Sequence, residues 1–273
     1  MKTYIANESI YYHIYPLGFT GAPAKHEGDK TASARIYKIS EHIPHMKSLG
    51  INALYLGPVF ESVYHGYDTA DYRKLDTRLG NNEDFEKVCK ELEENDIDLI
   101  LDGVFNHCGS FNKWLDRECI YENQEGYEKG AFVDAESPYR SFFKFHDQWQ
   151  WPYNTTYNGW WGHDTLPKLN YEESEKLYEY IMRIGEKWVS PPYNVDGWRL
   201  DVAADLGHSP EFNHKFWQEF RRVVKEANPE AIILAEHYGS ARPWLAGNEW
   251  DSVMNYDAFM EPITWFFTGM EKH

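Results

Sequence analysis

Cysteine is scarce in this chain, with only Cys89, Cys108 and Cys119 among 273 residues. Their number is odd, and none of them forms the C-x-x-C spacing that is typical of zinc sites and of redox motifs. These features argue against a disulfide framework and against a structural zinc site. We therefore predict reduced thiols.

Long hydrophobic runs are also missing. No stretch approaches the roughly 20 apolar residues that a membrane-spanning helix needs. The N-terminal segment includes Asn7 and Glu8 and lacks the apolar core of an export signal. We predict a soluble, cytoplasmic protein that has no membrane partner.

Basic residues are few relative to acidic ones. The chain has 27 lysines and arginines against 44 aspartates and glutamates, which gives a formal net charge of −17. Nucleic-acid binding needs clustered basic side chains that neutralise phosphates, and docking on an anionic membrane surface needs them too. The composition argues against both kinds of partner, and such acidity is typical of a solvated surface.

Aromatic residues, by contrast, are abundant. They make up 17% of the chain, with 11 Trp and 20 Tyr, and several lie in polar stretches such as Trp149–Tyr153 and Tyr157–Trp161. An aromatic ring has an apolar face, and Tyr and Trp add a polar tip, which suits core packing and also stacking on a sugar ring. Their density in predicted loops favours a carbohydrate-facing site.

Strand-like and helix-like segments alternate along the sequence. The strand-like segments are mostly apolar, which is typical of a parallel sheet covered by helices. The predicted strands are Ile10–Phe19, Asn52–Val59, Asp98–Phe105, Val195–Asp201, Ala231–Glu236 and Ser252–Tyr256. The predicted helices are Ile39–Leu49, Glu83–Glu94, Glu175–Val189 and Phe212–Glu226.

Two α/β architectures fit this alternation, a (β/α)8 TIM-type barrel and an open doubly wound sheet. No G-x-G-x-x-G sequence follows the first strand, so the dinucleotide-binding form of the doubly wound sheet loses support. Polar residues instead follow the carboxyl ends of three strands, at His107, Asp201 and Glu236, where barrel enzymes build their sites. We predict a barrel of which about six strands out of eight are present.

The segment from 108 to 169 is too long for an ordinary connection between a strand and a helix, which has a few residues. Its mixed aromatic, Gly and Pro content predicts a small subdomain inserted after the third strand. We therefore assign residues 1–107 and 170–273 to the barrel domain and residues 108–169 to the inserted subdomain.

The sequence V-D-G-W-R-L-D at residues 195–201 is the most informative stretch. Side chains at i and i+2 of a strand point to the same side, so Arg199 and Asp201 project together near the carboxyl end of this strand. A guanidinium beside a carboxylate lowers the pKa of the carboxyl group and keeps it ionised. An ionised Asp in this position is suited to act as a covalent nucleophile. The alternative is a structural ion pair at the end of the strand.

Four motifs occur in order along the chain and together resemble those of the α-amylase family of glycoside hydrolases. They are D-G-V-F-N-H at Asp102–His107, L-P-K-L-N at Leu166–Asn170, G-W-R-L-D at Gly197–Asp201 and I-L-A-E at Ile233–Glu236. Three further segments resemble more particularly the branch of neopullulanase, cyclomaltodextrinase and maltogenic amylase. They are Gly66–Tyr72, Pro243–Leu245 and Asp251–Tyr256.

This resemblance implies retaining hydrolysis of α-1,4 glucosidic bonds, with α-1,6 bonds as a further target, in maltodextrins, cyclodextrins or related α-glucans. The two carboxyl groups of a retaining pair lie about 5 Å apart and differ in protonation. We expect Asp201 to be ionised beside Arg199 and Glu236 to be protonated in apolar surroundings. The implied roles are nucleophile for Asp201, acid/base for Glu236, stacking platform for Tyr67, hydrogen bonding to a sugar hydroxyl for His107, and support of Arg199 for Asp102.

The resemblance does not settle the question of a metal. In many family members the asparagine that matches Asn106 helps to bind calcium, but the resembled branch often lacks that site. The other histidines show no H-E-x-x-H spacing. We predict no cofactor and assign no metal ligand, and we leave calcium and the oligomeric state open.

The chain departs from the family pattern in one respect. The family has a third essential carboxylate, an Asp preceded by His at the end of the seventh strand. The two His-Asp pairs here, His146-Asp147 and His163-Asp164, precede the nucleophile instead. Only six strands are predicted before His273, so we expect the chain to be the N-terminal portion of a longer enzyme. Two other functions stay open: a carbohydrate-binding fragment or pseudoenzyme without turnover, and a family transglycosylase or isomerase.

Overall fold

The computed structural model describes residues 8–26, 33–146 and 157–269. The aromatic run Trp149–Tyr153 and Asp147, which the sequence singles out, lie outside the described residues. The strands are β1 (Tyr11–Ile14), β2 (Ala53–Leu56), β3 (Phe60–Ser62), β4 (Thr69–Leu75), β5 (Asp98–Gly103), β6 (Gly197–Leu200), β7 (Ile232–Ala235) and β8 (Ser252–Val253). The α-helices are α1 (Pro16–Thr20), α2 (Tyr37–Ser48), α3 (Asn82–Glu94), α4 (Glu175–Val189), α5 (Pro210–Ala227) and α6 (Glu261–Thr268).

Six of these strands form one parallel sheet in the order β1-β2-β5-β6-β7-β8. In this sheet each parallel strand lies beside the parallel strand that precedes it in the chain, as in a barrel. The strand order of a doubly wound sheet instead reverses direction. The predicted α/β fold of the barrel type is therefore confirmed. Strands β3 and β4 form a separate antiparallel pair, which the sequence pattern did not predict.

The central strands β2, β5, β6 and β7 of the parallel sheet are largely buried on both faces. Side chains at alternate strand positions, such as Leu101 and Trp198, belong to the main hydrophobic core that the sheet shares with the helices. The positions between them point to the other face, because successive side chains of a strand alternate. This second face carries the buried side chains of Tyr55, Asp102 and Arg199.

Gly197 allows β6 to lie close to β7. A Cβ atom at this position would lie 2.2 Å from the carbonyl oxygen of Ile232, which is closer than atoms approach in folded proteins. Only glycine fits where two backbones approach in this way. This pairing sets the register in which Arg199 lies beside Leu234 of β7.

The helices predicted from the sequence are present, and α4 has the predicted bounds. Local signals explain their ends: Asn81 forms a capping box with Asp84 at the start of α3, and the Ser174 side chain accepts a hydrogen bond from the Leu177 amide at the start of α4. Across residues 8–26, 33–146 and 157–269, no helix is both long enough and apolar enough to cross a membrane.

All six predicted strands are longer than the observed ones, and two of them run into other elements. The segment Ile10–Phe19 consists of β1 followed by α1, because Pro16 is tolerated in the first turn of a helix and its fixed φ favours that start. The segment Ser252–Tyr256 contains only β8. Tyr256 begins a turn of π-helix, for which the side chain of Asn255 provides the N-cap.

The segment between β5 and α4 contributes no strand to the parallel sheet in its described part. Isolated β-bridges hold it to itself, and one of them pairs His107 near its start with Lys168 near its end. The two ends of the segment therefore lie side by side. The assignment of residues 108–169 to a separate subdomain stays a prediction.

Candidate active site

The carboxyl ends of β5, β6 and β7 bring four of the predicted site residues together. Asp102 of β5 pairs in register with Arg199 of β6, while Asp201 directly follows β6 and Glu236 directly follows β7. All four residues are buried, with exposed fractions between 0 and 8%. Parallel strands present their carboxyl ends at one edge of the sheet, so residues that are far apart in the chain meet there.

Arg199 is the cation that links three carboxyl groups. Its Nη1 lies 2.7 Å from Asp102 Oδ1 and 2.8 Å from Asp201 Oδ1. Its Nη2 lies 2.8 Å from Glu236 Oε2. The Tyr55 hydroxyl donates a further hydrogen bond of 2.6 Å to Asp102 Oδ2. Three carboxyl groups thus face one positive charge away from water, and full ionisation of all three would be costly.

This shared cation changes the expected protonation of Asp201. Burial raises the pKa of Asp201 to about 8, with further raising by Asp102 and Glu236, and Arg199 only partly opposes them. Burial also raises the pKa of Asp102, although Arg199 and Tyr55 act to lower it. The expectation that Arg199 holds the pKa of Asp201 low is therefore wrong, because one guanidinium is divided among three carboxyl groups. At neutral pH Asp102 and Asp201 therefore hold a proton jointly.

The surroundings of Glu236 are polar, not apolar as expected. Its Oε2 accepts hydrogen bonds from Arg199 and from the Val202 amide, the latter at 3.0 Å. Its Oε1 accepts hydrogen bonds from the hydroxyl groups of Tyr238 and Tyr256, at 3.1 and 3.2 Å. Both carboxyl oxygens thus have two donors each.

An open cavity of about 640 Å³ adjoins the carboxylates. Asp201 and Glu236 line it together with aromatic side chains, which include Tyr67, His107, Trp160, Trp161 and Tyr238. The Trp160 ring stacks on His107 with centroids 5.3 Å apart, and its Nε1 donates to Asp205 Oδ2 at 3.0 Å. Residues from the segment after β5 therefore form one wall of the cavity, and Trp161 on this wall is 79% exposed.

The two predicted sugar-contacting residues, Tyr67 and His107, contact each other. His107 Nε2 donates to the Tyr67 carbonyl oxygen at 3.1 Å, and the Asn106 side-chain amide donates to His107 Nδ1 at 3.1 Å. Burial lowers the pKa of His107 to about 3, so the ring is neutral. Both ring nitrogens are thus occupied by protein groups, and contact of His107 with a sugar hydroxyl stays a prediction.

Sequence reasoning missed three tyrosines whose hydroxyl groups donate to the carboxyl groups, Tyr55, Tyr238 and Tyr256. Tyr238 lies two positions after Glu236, so spacing along the chain offered a signal. Tyr55 is 47 positions away from its partner Asp102, and Tyr256 is 20 positions away from Glu236. No local pattern pairs residues at such separations.

The described part of the chain contains no group of three or more His, Cys, Asp or Glu side chains that could hold a metal ion. The clustered carboxyl groups of Asp102, Asp201 and Glu236 have the Arg199 guanidinium as their cation instead. No residue is assigned to calcium.

The raised pKa of Asp201 predicts that the variant Asp201→Asn is more stable than the wild type at pH 8. Between the unfolded pKa of about 4 and the folded pKa of about 8, the folded chain binds a proton that the unfolded chain has released. Wild-type stability therefore falls as the pH rises, by up to about 1.4 kcal/mol per pH unit from this group. Urea unfolding at pH 5, 6.5 and 8 should show the stability difference growing with pH.

Asp251→Asn is the matched control, with the opposite sign. Burial raises the pKa of Asp251, but hydrogen bonds from Lys225 and Arg221 outweigh it and lower the pKa overall. This variant should be less stable than the wild type at neutral pH, and the difference should shrink on acidification below about pH 4. A stability difference for Asp201→Asn that stays flat across the pH range would contradict the predicted protonation of the cluster.

Comparison with known proteins finds close relatives for most of the chain. The family Alpha-amylase, described as "Alpha amylase, catalytic domain", matches residues 13–269. A cyclomaltodextrinase from a Bacillus species is 32% identical over 280 residues, which cover 95% of this chain and 46% of the relative. Neopullulanase 2 from Thermoactinomyces vulgaris is 33% identical over 290 residues, which cover 98% of this chain and 45% of the relative. The chain thus spans about half the length of the curated relatives it matches.

The fold is likewise similar to solved structures. The ligand-free cyclic α-maltosyl-(1→6)-maltose hydrolase from Arthrobacter globiformis aligns with a TM-score of 0.76 and 28% sequence identity. The alignment covers 97% of this chain and 59% of that protein. This similarity supports the barrel-type fold that the strand order indicates.

Proposed function

This chain belongs to the α-amylase catalytic-domain family, and from that premise we propose that it carries the nucleophile and the acid/base of a retaining α-glucan hydrolase. The bonds attacked are α-1,4 glucosidic bonds, with α-1,6 bonds as a further target, in maltodextrins, cyclodextrins or related α-glucans. The curated relatives named cyclomaltodextrinase and neopullulanase support this substrate class.

One observation carries the proposal: Asp201 and Glu236 bind neighbouring nitrogens of one guanidinium at the wall of an open cavity. Carboxyl groups held close together in this way favour direct attack of one of them on the anomeric carbon. An inverting mechanism needs a wider separation, because a water molecule must fit between the carboxyl group and the sugar. Both side chains line the cavity, so a sugar bound there would contact them.

The roles follow from the chemistry of retention. The Asp201 carboxylate attacks the anomeric carbon and forms a glycosyl ester, while Glu236 donates a proton to the departing glucosidic oxygen. Glu236 then takes a proton from water, whose oxygen attacks the anomeric carbon and releases Asp201. The first step needs one ionised and one protonated carboxyl group. Because burial raises the pKa of Asp201 to about 8, the proposal requires that Asp201 be ionised and Glu236 be protonated once substrate is bound.

Aromatic side chains support a carbohydrate ligand over a charged one. Trp160, Trp161 and Tyr67 present ring surface to the cavity, and such rings stack on the apolar faces of sugars. The carboxyl groups of Asp201 and Glu236 would repel an anionic substrate. A neutral glucan fits both features.

Incubation of the protein with maltoheptaose or β-cyclodextrin tests the proposal. New reducing ends should appear, and proton NMR at early times should show the α-anomer first, as retention requires. Cellohexaose, which has β-linkages, is the matched control and should stay intact. Absence of reducing ends above buffer, or initial release of the β-anomer, would overturn the proposal.

Carbohydrate binding without turnover is the second candidate. The site favours it in one respect, because both carboxyl oxygens of Glu236 already accept two hydrogen bonds each from protein groups. This candidate predicts that calorimetry detects maltoheptaose binding while no cleavage occurs over days. A transglycosylase or isomerase would instead yield longer or rearranged oligosaccharides, which product chromatography distinguishes.

A further inference from the structure

The two oxygens of Glu236 have chemically different partners. Oε2 accepts hydrogen bonds from Arg199 and from the Val202 amide, and both of these groups can only donate. Oε1 accepts hydrogen bonds from the Tyr238 and Tyr256 hydroxyl groups. A hydroxyl group differs from the other two partners because it can either donate or accept.

This difference decides where a proton on Glu236 can reside. A proton on Oε2 would face a guanidinium N–H and an amide N–H, neither of which can accept it. A proton on Oε1 faces two hydroxyl groups, either of which can turn and accept it. Oε1 is therefore the oxygen that can carry the proton without leaving a buried donor unpaired.

We infer that Tyr238 and Tyr256 are positioning residues for Glu236, which keep its exchangeable proton on Oε1 and satisfy that oxygen in both protonation states. The inference rests on the proposed function, in which Glu236 alternates between acid and base. Each half-reaction changes the protonation of Glu236, and a partner that only donates would suit only the ionised form.

The two hydroxyl groups reach Oε1 from different elements. Tyr238 lies on the loop after β7 and lines the cavity, whereas Tyr256 begins the turn after β8. Their rings contact each other, with centroids 4.6 Å apart. Burial raises the pKa of Tyr256, so its hydroxyl group keeps its proton across the neutral range. The two rings therefore pack together, and Tyr256 offers the cleaner test because it is not among the residues that line the cavity.

Tyr256→Phe removes the hydroxyl group and keeps the ring. We expect kcat/KM for maltoheptaose to fall about tenfold, a part of what general acid catalysis contributes. For para-nitrophenyl α-maltoside we expect a change of less than about twofold, because nitrophenolate departs without a proton and needs little acid catalysis. Tyr238→Phe should show the same dependence on the leaving group.

Tyr37→Phe is the matched control, since the Tyr37 hydroxyl group donates to Asp84 Oδ1 at 3.0 Å at the start of α3. This variant should keep wild-type kcat/KM for both substrates. Equal losses of Tyr256→Phe on both substrates would indicate a merely structural role and overturn the inference, as would wild-type rates on both. A wild-type protein that cleaves neither substrate would remove the proposed function itself, and the inference with it.

Discussion

Replacement of Asp201 by Asn should lower the hydrolysis of maltoheptaose by roughly 10⁴-fold or more, the scale on which loss of a catalytic nucleophile acts. The amide cannot form the glycosyl ester, while its size and its position after β6 are unchanged. Asp134→Asn is the matched control, because Asp134 does not line the cavity; it accepts a hydrogen bond from the Glu136 amide and forms a distant pair with Lys129 at 3.9 Å. That variant should keep wild-type activity.

A chemical trap identifies the nucleophile directly. A 5-fluoro-α-glucosyl fluoride should react with the wild type so that a bond forms between the Asp201 carboxylate and the anomeric carbon while fluoride leaves. Mass spectrometry of peptides should find the sugar on the peptide that contains residue 201, and Asp201→Asn should stay unlabelled. Label on another residue, or retained turnover in Asp201→Asn, would refute this role.

Replacement of Arg199 by Met should lower the free energy of unfolding by about 3–5 kcal/mol, as expected when one partner of a buried ion pair is removed. The carboxyl groups of Asp102, Asp201 and Glu236 would then share a buried site without a cation. Urea unfolding measures the loss. Arg183→Met is the control, because its pair with Glu179 is exposed and contributes about 0.5 kcal/mol or less.

The stability that Arg199→Met loses should also depend on pH. Without the guanidinium the buried carboxyl groups hold their protons to higher pH, so the folded variant binds protons that the unfolded chain has released. Its stability therefore falls more steeply than that of the wild type as the pH rises from 5 to 8. A loss similar to that of the Arg183→Met control, or one that shrinks with rising pH, would show that the cluster does not need its cation.

Most elements of the sheet and the meeting of the acidic residues could be predicted from the sequence. Runs of apolar residues between helical patterns gave the six parallel strands, and α4 was predicted with its observed bounds. Once the strands were parallel, Asp102, Asp201 and Glu236 had to lie at one edge, because the carboxyl ends of such strands share that edge. This inference needs only the order of residues along the chain.

Shorter elements were harder to predict, because their signals are weak or compete. The strand-like residues of Ile10–Phe19 conceal a helix start at Pro16. The antiparallel pair of β3 and β4 has register shifts on both sides of Glu61, so it lacks the regular alternation that a search for strands uses.

Only the tertiary structure decided the electrostatics of the site. From the sequence, Arg199 stands next to Asp201 and to no other acid, so a lowered pKa was the natural expectation. In the fold the same guanidinium also binds Asp102 and Glu236, and the pKa of Asp201 is raised to about 8. The partners of a buried charge are set by distances in space, which the spacing along one strand does not contain.

The tyrosines show the same division. The sequence by itself determined the barrel-type sheet and the placement of four residues at or near strand ends, because the periodicity and the order of segments can be read directly from the chain. These residues are Asp102, Arg199, Asp201 and Glu236. The contacts of Tyr238 and Tyr256 with Glu236 depend on the fold, which places β7 and β8 side by side. Hydrogen bonding acts over about 3 Å, so it depends on neighbours that folding brings together.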